Sequence, residues 1–112
     1  MPRPNDSLSN LELMVMLAVI RLGDNAYGVP IAEEVEKRRG KLTRIGSVYA
    51  ALDRLGAKGF ADSEMGEATA ERGGRAKRYF RITGKGLAEV QETRRALLEL
   101  WNRLPELQGK KA

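Results

Sequence analysis

The sequence predicts a small, mainly α-helical domain with a single β-hairpin towards its C-terminal end. The chain has 112 residues, of which 42% are hydrophobic and 31% are charged, a balance typical of one globular domain. Four segments carry the apolar or capping patterns of helices, and the region between the third and fourth shows the alternation of β-strands. The predicted helices span about 10–22, 29–39, 46–58 and 84–104, and the predicted strands span 60–66 and 76–82.

The first predicted helix begins after Ser9. Ser9 and Glu12 have the spacing of a capping box, in which each side chain accepts a hydrogen bond from the backbone amide of the other residue. Between Glu12 and Arg21 the segment carries no charge, so more than one of its sides must be covered. We expect one side to face the core and another, with Leu13 and Leu17, to face a second subunit. A single central core helix is the alternative.

The second predicted helix carries Pro30 in its first turn, where a missing amide hydrogen costs nothing. Ile31, Ala32 and Val35 form a narrow apolar stripe along it. The charge changes from acidic to basic through "EEVEKRR", as the helix dipole favours, and Gly40 ends the helix.

The third predicted helix has one apolar face and one small face. Its apolar residues share the i, i+3, i+4, i+7 spacing: Val48, Ala51, Leu52 and Leu55. The opposite face consists of Gly46, Ala50, Asp53 and Ala57, with Ser47 and Arg54 beside it and Arg44 just ahead. Because these side chains are small and carry little charge near the start of the helix, this face can approach another surface closely.

The segment "GGRAKRYFRIT", residues 73–83, combines a strand pattern with concentrated positive charge. Phe80 and Ile82 alternate with Tyr79 and Arg81, and the glycines let the backbone approach another surface. From residue 72 to residue 85 there are six basic residues and no acidic one: Arg72, Arg75, Lys77, Arg78, Arg81 and Lys85. Charge can simply protect an edge strand, but six charges of one sign favour contact with phosphates.

The last predicted helix follows its cap, Thr83, and ends before Pro105. Residues along one side recur at spacings of three and four, with one cation among apolar side chains: Leu87, Val90, Arg94, Leu97, Trp101 and Leu104. Little else in the chain can pack on this face, so we expect a partner helix from a second subunit.

Three helices followed by a hairpin form the arrangement of a winged helix–turn–helix domain. In that arrangement the third helix enters the DNA major groove and the hairpin, or wing, reaches the flanking backbone. We assign residues 9–82 to this domain and 83–105 to a C-terminal dimerisation helix. Residues 1–8 form a flexible tail and 106–112 a basic tail.

The composition excludes several kinds of chemistry. The absence of cysteine and histidine removes disulfides, thiolate nucleophiles and the commonest metal ligands. No paired-carboxylate or glycine-rich phosphate motif is present, so we expect neither an enzyme nor a bound metal or cofactor. The longest apolar run has eight residues and no signal peptide is evident, so we expect a cytoplasmic protein without membrane contact. The net charge of +5 favours an anionic partner, although it also suits simple solubility.

Two segments resemble the signature of the PadR family of bacterial transcriptional regulators: "GSVYAALDRLGAKGF" and "GGRAKRYFRITGKG". The similarity runs from about Leu11 to Leu104. It implies a homodimeric winged-helix repressor whose C-terminal helix dimerises. The short last helix is similar to that of the small-domain subfamily.

The resemblance also implies which residues contact DNA. Ser47 stands where the family has threonine and keeps a hydroxyl, and Tyr49 matches the family tyrosine, although packing at the core edge is an equal interpretation. The basic wing positions correspond to Arg75, Lys77 and Arg78. The segment "NAYGVPIAEEV" departs from the family's usual His-Gly-Tyr-Glu-Ile, which bears on the start of the second helix and not on the fold.

Trp101 is the single tryptophan of the chain, and it falls on the expected dimer seam. In multidrug-sensing relatives a tryptophan at a similar place stacks on planar drugs between two subunits, which implies a small planar or aromatic effector. The alternative is a large apolar anchor within the interface. Arg94 on the same seam could pair across the dimer or meet an acidic effector.

Our leading hypothesis is a sequence-specific repressor that binds double-stranded DNA at a pseudo-palindromic operator as a homodimer. The alternative is a winged-helix module that binds another protein without specific DNA binding. The candidate DNA contacts are Arg44, Ser47, Tyr49, Arg54, Arg75, Lys77 and Arg78. The candidate dimer or effector contacts are Leu13, Leu17, Leu87, Val90, Arg94, Leu97, Trp101 and Leu104.

Overall fold

The computed structural model of the chain describes residues 7–66 and 76–108. Its helices are α1 (Asn10–Leu22), α2 (Gly28–Arg39), α3 (Ile45–Ala57) and α4 (Gly84–Trp101), and its strands are β1 (Ala61–Met65) and β2 (Arg78–Ile82). Short 3₁₀ turns cover Gly23–Asn25 and Pro105–Leu107. The predicted winged helix–turn–helix order is confirmed. Parts of both predicted tails, and the hairpin tip with Arg72 and Arg75, lie outside the described residues.

Helices α1, α2 and α3 enclose the hydrophobic core. The four residues of the predicted α3 stripe are all buried: Val48, Ala51, Leu52 and Leu55. They share one cluster with the buried side chains Val15, Met16, Val19, Ile31, Val35 and Phe60. Because one face of α3 is fixed in this cluster, its small face points to solvent.

The start of α1 has the predicted capping box. Ser9 Oγ accepts a hydrogen bond from the Glu12 amide at 3.1 Å, and Glu12 Oε1 accepts one from the Ser9 amide at 2.9 Å. Further along α1, Val15 and Val19 are buried, whereas Leu17 is 46% exposed. The single chain therefore leaves part of the uncharged stretch between Glu12 and Arg21 exposed.

Glu12 also binds two cations from the end of α3. Its side chain is buried, with 2% of its surface exposed. Arg54 Nε lies 2.6 Å from Glu12 Oε2, and Lys58 Nζ lies 2.8 Å from Glu12 Oε1. Lys58 Nζ also donates a hydrogen bond to the Ser7 carbonyl at 2.8 Å. These contacts join the start of α1 to the end of α3.

Two opposing effects determine the pKa of Glu12. Burial raises the pKa, but hydrogen bonds from Lys58, from the Ser9 amide and from Arg54 together lower it from its ordinary value of 4.5 to about 2. The pKa is therefore lower in the folded protein than in the unfolded chain. Ionised Glu12 stabilises the fold above about pH 4.5, and this contribution is lost as the pH falls towards 2.

The two wing strands are antiparallel, with Ala61 opposite Ile82 at the base of the hairpin. Phe80 and Ile82 of β2 pack against the core cluster. The Phe80 amide donates a hydrogen bond to the Ala26 carbonyl at 2.8 Å. The wing is therefore attached to the segment just before α2 as well as to the core.

Helix α4 begins directly after the wing and crosses the start of β1 closely. Thr83 Oγ1 accepts a hydrogen bond from the Gly86 amide at 3.0 Å and donates one to the Gly59 carbonyl at 2.7 Å. A Cβ atom at Gly86 would lie 2.3 Å from the Phe60 carbonyl oxygen. A glycine is therefore required at this crossing, which fixes the direction in which α4 leaves the domain.

Helix α4 ends at Trp101, whereas the sequence predicted that it continues to about Leu104. Asn102 has an extended backbone and Arg103 has a φ of 59°. Pro105 disfavours helical conformations at Leu104, and its missing amide hydrogen removes a helical bond to the Trp101 carbonyl. Leu104 therefore lies beyond the helix, just before the 3₁₀ turn.

We predict that Glu12→Gln lowers the free energy of unfolding by about 3 kcal/mol at pH 7. Glutamine can still accept the capping bond from the Ser9 amide, but it leaves Lys58 without its buried counter-charge. Urea denaturation at pH 7 and pH 3 measures the effect, and the difference from wild type should shrink at the lower pH.

The matched control is Glu92→Gln, which removes a carboxylate that is paired with Arg95 on the exposed side of α4. This variant should unfold nearly as wild type does, because exposed ion pairs contribute little. Equal unfolding free energies for Glu12→Gln and wild type at pH 7 would contradict the assigned role of the buried carboxylate.

Candidate nucleic-acid interface

The solvent side of α3 is formed by small residues. Gly46, Ala50, Asp53 and Ala57 are all exposed. A Cβ atom placed at Gly46 would meet no other atom within 4 Å, so the first turn of the helix is open on this side. A large partner can therefore approach the backbone of α3 closely, as the sequence predicted.

Arg44 and Ser47 lie at the start of α3, and both side chains are exposed. Arg44 is the N-cap residue, and its carbonyl accepts a hydrogen bond from the Ser47 amide at 3.0 Å. No side chain caps this end of the helix, which carries the partial positive charge of the helix dipole. The first turn thus presents a guanidinium, a hydroxyl and backbone amides, all groups that bind phosphate.

Tyr49 lies across the start of α2. A Cβ atom at Gly28 would lie 2.0 Å from the Tyr49 hydroxyl oxygen. The tyrosine therefore occupies the space that a side chain at Gly28 would need. The ring is nevertheless 44% exposed. Packing at the edge of the core is therefore observed, and the DNA contact of Tyr49 stays a prediction.

Arg54 has a partner within the protein. Its Nε donates to the Glu12 carboxylate at 2.6 Å, although about half of the side chain is exposed. Its partner lies 42 residues away in the chain, so no local spacing in the sequence indicated this ion pair. A DNA contact by Arg54 stays a prediction, and the ion pair already accounts for the residue.

The described basic residues of the wing have different neighbours across the hairpin. Lys77 precedes β2, and Arg78 lies opposite Met65 in the first pair of the ladder. Nearer the base, Arg81 lies opposite Asp62, so an acidic side chain faces it across the strands. The count of six cations in residues 72–85 did not consider the acidic residues of the paired strand β1. Arg75 lies outside the described residues.

Lys85 is engaged inside the domain. Its Nζ donates a hydrogen bond to the Lys58 carbonyl at 2.9 Å and lies 5.3 Å from the centroid of the Phe60 ring. A cation at this place satisfies a carbonyl at the end of α3 and complements the helix dipole. Lys85 is therefore better explained as a structural contact than as part of the basic wing surface.

Two tyrosines that are not among the predicted contact residues meet at the wing: Tyr79 of β2, and Tyr27 just before α2. The Tyr27 and Tyr79 rings meet edge to face, with centroids 5.6 Å apart. The Nζ of Lys77 lies 4.7 Å from the centroid of the Tyr27 ring. The sequence places Lys77 and Tyr79 on one strand face, but Tyr27 is distant along the chain and only the fold brings it there.

Helix α4 carries an exposed apolar side along most of its length. Leu87, Leu97 (42%) and Trp101 (57%) are exposed, whereas Val90 is partly buried against the core. Arg94 is exposed in the same row. On the other side of the helix, Glu92, Arg95 and Glu99 form ion pairs.

The two predicted contact residues of α1 differ in exposure. Leu13 is partly buried, and Leu17 is exposed. Leu104, which follows the end of α4, is also exposed. Leu17, Leu104 and the exposed row of α4 therefore remain uncovered in the single chain.

No cluster of three or more potential acidic metal ligands occurs in residues 7–66 or 76–108. No helix within these ranges has both the length and the apolar character needed to cross a bilayer.

The chain was compared with known families and structures. The model of the transcriptional regulator PadR-like family matches residues 16–92. A comparison with curated protein sequences gives no significant match.

Several solved structures share the fold. A PadR-like transcription factor from Bacteroides fragilis is 28% identical, with a TM-score of 0.69 over 80% of this chain and 82% of that one. A transcriptional regulator from Clostridium thermocellum is 22% identical, with a TM-score of 0.69 over 92% and 99% of the two chains. A PadR family regulator from Clostridium difficile is 18% identical, with a TM-score of 0.72 over 90% and 100%.

Proposed function

Because the chain belongs to the PadR-like family of transcriptional regulators, we propose that it is a homodimeric repressor that binds a pseudo-palindromic DNA operator. Membership of this family makes the chain a transcriptional regulator and not an enzyme. The observation that best supports the DNA contact is the open, small face of α3, in a fold whose wing carries the cations Lys77 and Arg78.

The DNA contacts fall into two groups. In this proposal the first turn of α3 enters the major groove, where Ser47 contacts a base edge or phosphate and Arg44 a phosphate. The wing follows the flanking backbone through Lys77, Arg78 and Arg75, which supply affinity that does not depend on sequence. Tyr49 contributes its exposed edge at the border of the same surface.

The exposed side of α4 supports the dimer. Leu87, Leu97 and Trp101 form a row with coiled-coil spacing that the single chain leaves uncovered. A second copy of the chain would cover this row, with the exposed Leu17 side of α1 adding to the interface. The two α3 helices would then meet half-sites whose centres lie ~34 Å, or a multiple of this distance, apart.

The same row supports an effector site. Trp101 is more than half exposed at the end of α4, where Leu98, Asn102 and Arg103 line a shallow depression beside it. A planar aromatic molecule could stack on the indole between two subunits, with Arg94 available for an acidic group. An effector that favours one spacing of the α3 helices over another would relieve repression.

We predict that Gly46→Ala stabilises the protein by up to about 1 kcal/mol and weakens DNA binding about tenfold. The added methyl group meets no atom of the protein, but it would occupy the surface that approaches the groove. Urea denaturation measures the stability. Fluorescence anisotropy with a duplex from upstream of the protein's own gene measures the affinity.

Gly56→Ala is the matched control on the same helix. A Cβ atom there would be 3.9 Å from the Ala61 carbonyl oxygen, which is an ordinary contact. This variant should gain similar stability and bind DNA as wild type does. If Gly46→Ala also binds as wild type does, the first turn of α3 does not enter the groove.

The wing contact gives a second prediction. Lys77→Ala combined with Arg78→Ala should weaken DNA binding and reduce the slope of log affinity against log salt by about one unit per lost phosphate contact in each subunit. Arg21→Ala combined with Arg95→Ala removes the same charge from exposed ion pairs elsewhere and should leave the slope nearly unchanged.

The wing experiment also tests the alternative of a protein-interaction module. That alternative predicts no preference of wild type for the upstream duplex over random DNA. It also predicts equal behaviour of the wing variant and its control. Specific, salt-dependent binding by wild type would exclude it.

For the dimer, we predict that Leu97→Glu gives a monomer at concentrations where wild type is a dimer. The charge would have to be buried opposite the partner helix, which is costly without a counter-charge. Size-exclusion chromatography with light scattering measures the mass. Ala88→Glu introduces the same charge at an exposed position outside the row and should remain dimeric. A monomeric wild type would refute the dimer.

A further inference from the structure

Three side chains from two parts of the chain meet on one side of the wing, and we call them the wing cluster: Tyr27, Lys77 and Tyr79. The two rings are in edge-to-face contact at 5.6 Å, and Lys77 Nζ lies over the Tyr27 ring at 4.7 Å from its centroid. Tyr27 is the residue immediately before α2, and its backbone pairs with that of Tyr79. The cluster therefore connects the wing to the start of α2.

The backbone of the wing is adapted to this cluster. Alternation along the strand places Lys77 and Tyr79 on the face opposite the core residue Phe80. The Gly66 amide donates a hydrogen bond to the Lys77 carbonyl at 2.7 Å. A Cβ atom at Gly66 would lie 2.5 Å from the Tyr79 ring, so a glycine leaves the space that this ring occupies.

We infer that Tyr27 and Tyr79 are positioning residues for DNA binding, which hold the ammonium group of Lys77 in place for a backbone phosphate. The inference rests on the proposed DNA contact of the wing. A lysine side chain loses much rotational freedom when it binds, and a cation held over a ring in the free protein has lost part of that freedom already. The affinity of the wing therefore depends on residues that need not touch DNA.

The other described cations of this region have different surroundings. Arg78 lies opposite Met65, Arg81 lies opposite Asp62, and Lys85 binds the Lys58 carbonyl. The ammonium group of Lys77, in contrast, lies over the Tyr27 ring, just before the start of α2. In helix–turn–helix proteins the helix before the recognition helix crosses the DNA backbone. The cluster thus holds Lys77 on the side of the wing nearest to that crossing.

A double-mutant cycle tests the inference. The variants are Tyr27→Leu, Lys77→Met and their combination, with Tyr27→Phe as the control that keeps the ring face. Each binds a fluorescein-labelled duplex from upstream of the protein's own gene at several salt concentrations, and circular dichroism verifies the fold. Tyr27→Leu should weaken binding about threefold and reduce the salt slope, whereas Tyr27→Phe should bind as wild type does.

The combination decides how Tyr27 acts. If Tyr27 works through Lys77, the double variant binds as Lys77→Met alone does. The inference would be overturned if Tyr27→Leu reduced the DNA affinity equally in the wild-type and Lys77→Met backgrounds. It would also be overturned if Lys77→Met alone left the DNA affinity unchanged. In the last case the proposed function still stands if wild type prefers the upstream duplex to random DNA. If wild type has no such preference, both proposals fail.

Wild-type protein provides a second test that does not depend on the folding of a variant. A ring beneath the Lys77 ammonium shifts the NMR signals of its neighbouring methylene protons upfield. We expect this shift in the free protein and in the complex with the same duplex. A methylene signal that moves to its unshifted position on addition of DNA would overturn the inference, because Lys77 would then leave the ring in order to bind.

Discussion

The buried carboxylate of Glu12 is the contact on which the position of α3 depends. It completes the cap of α1 through Ser9 and holds Arg54 and Lys58 at the end of α3. A buried carboxylate without these partners would cost several kcal/mol, so the fold is stable only when α1 and α3 are in this arrangement. The core cluster fixes the face that α3 buries, and the ion pairs fix where its last turn lies. No side chain caps the first turn of α3, where we propose the contact with DNA.

The positive charges of the chain consequently have different roles. Arg54, Lys58 and Lys85 bind carboxylate or carbonyl groups of the protein, and Arg81 faces an acid across the hairpin. Of the described wing cations, Lys77 and Arg78 are those that we propose to contact an external anion. The net charge alone therefore overstates the number of cations that are available to an external anion.

Local patterns in the sequence predicted most of the fold because caps, glycines and apolar spacing act within one helix or hairpin. The capping box of Ser9 and the buried stripe of α3 were found in this way. The ion pairs of Glu12 and the contact of Tyr27 with the wing were not, since each joins residues far apart in the chain. The sequence pattern predicts too late an end for α4, because Pro105 constrains not only its own position but also the residue before it.

The end of α3 is also the place where α4 begins to contact the domain. Lys85 binds the Lys58 carbonyl, Thr83 binds the Gly59 carbonyl, and Gly86 lies against the next carbonyl along the chain. Lys58 is itself held by Glu12. The three successive carbonyls of residues 58–60 thus contact the start of α4. Helix α4 therefore has little freedom to rotate relative to the end of α3. In the proposed dimer, a ligand that changed the angle of α4 would therefore act on the end of α3 directly, through backbone contacts and not through the deformation of a packed core.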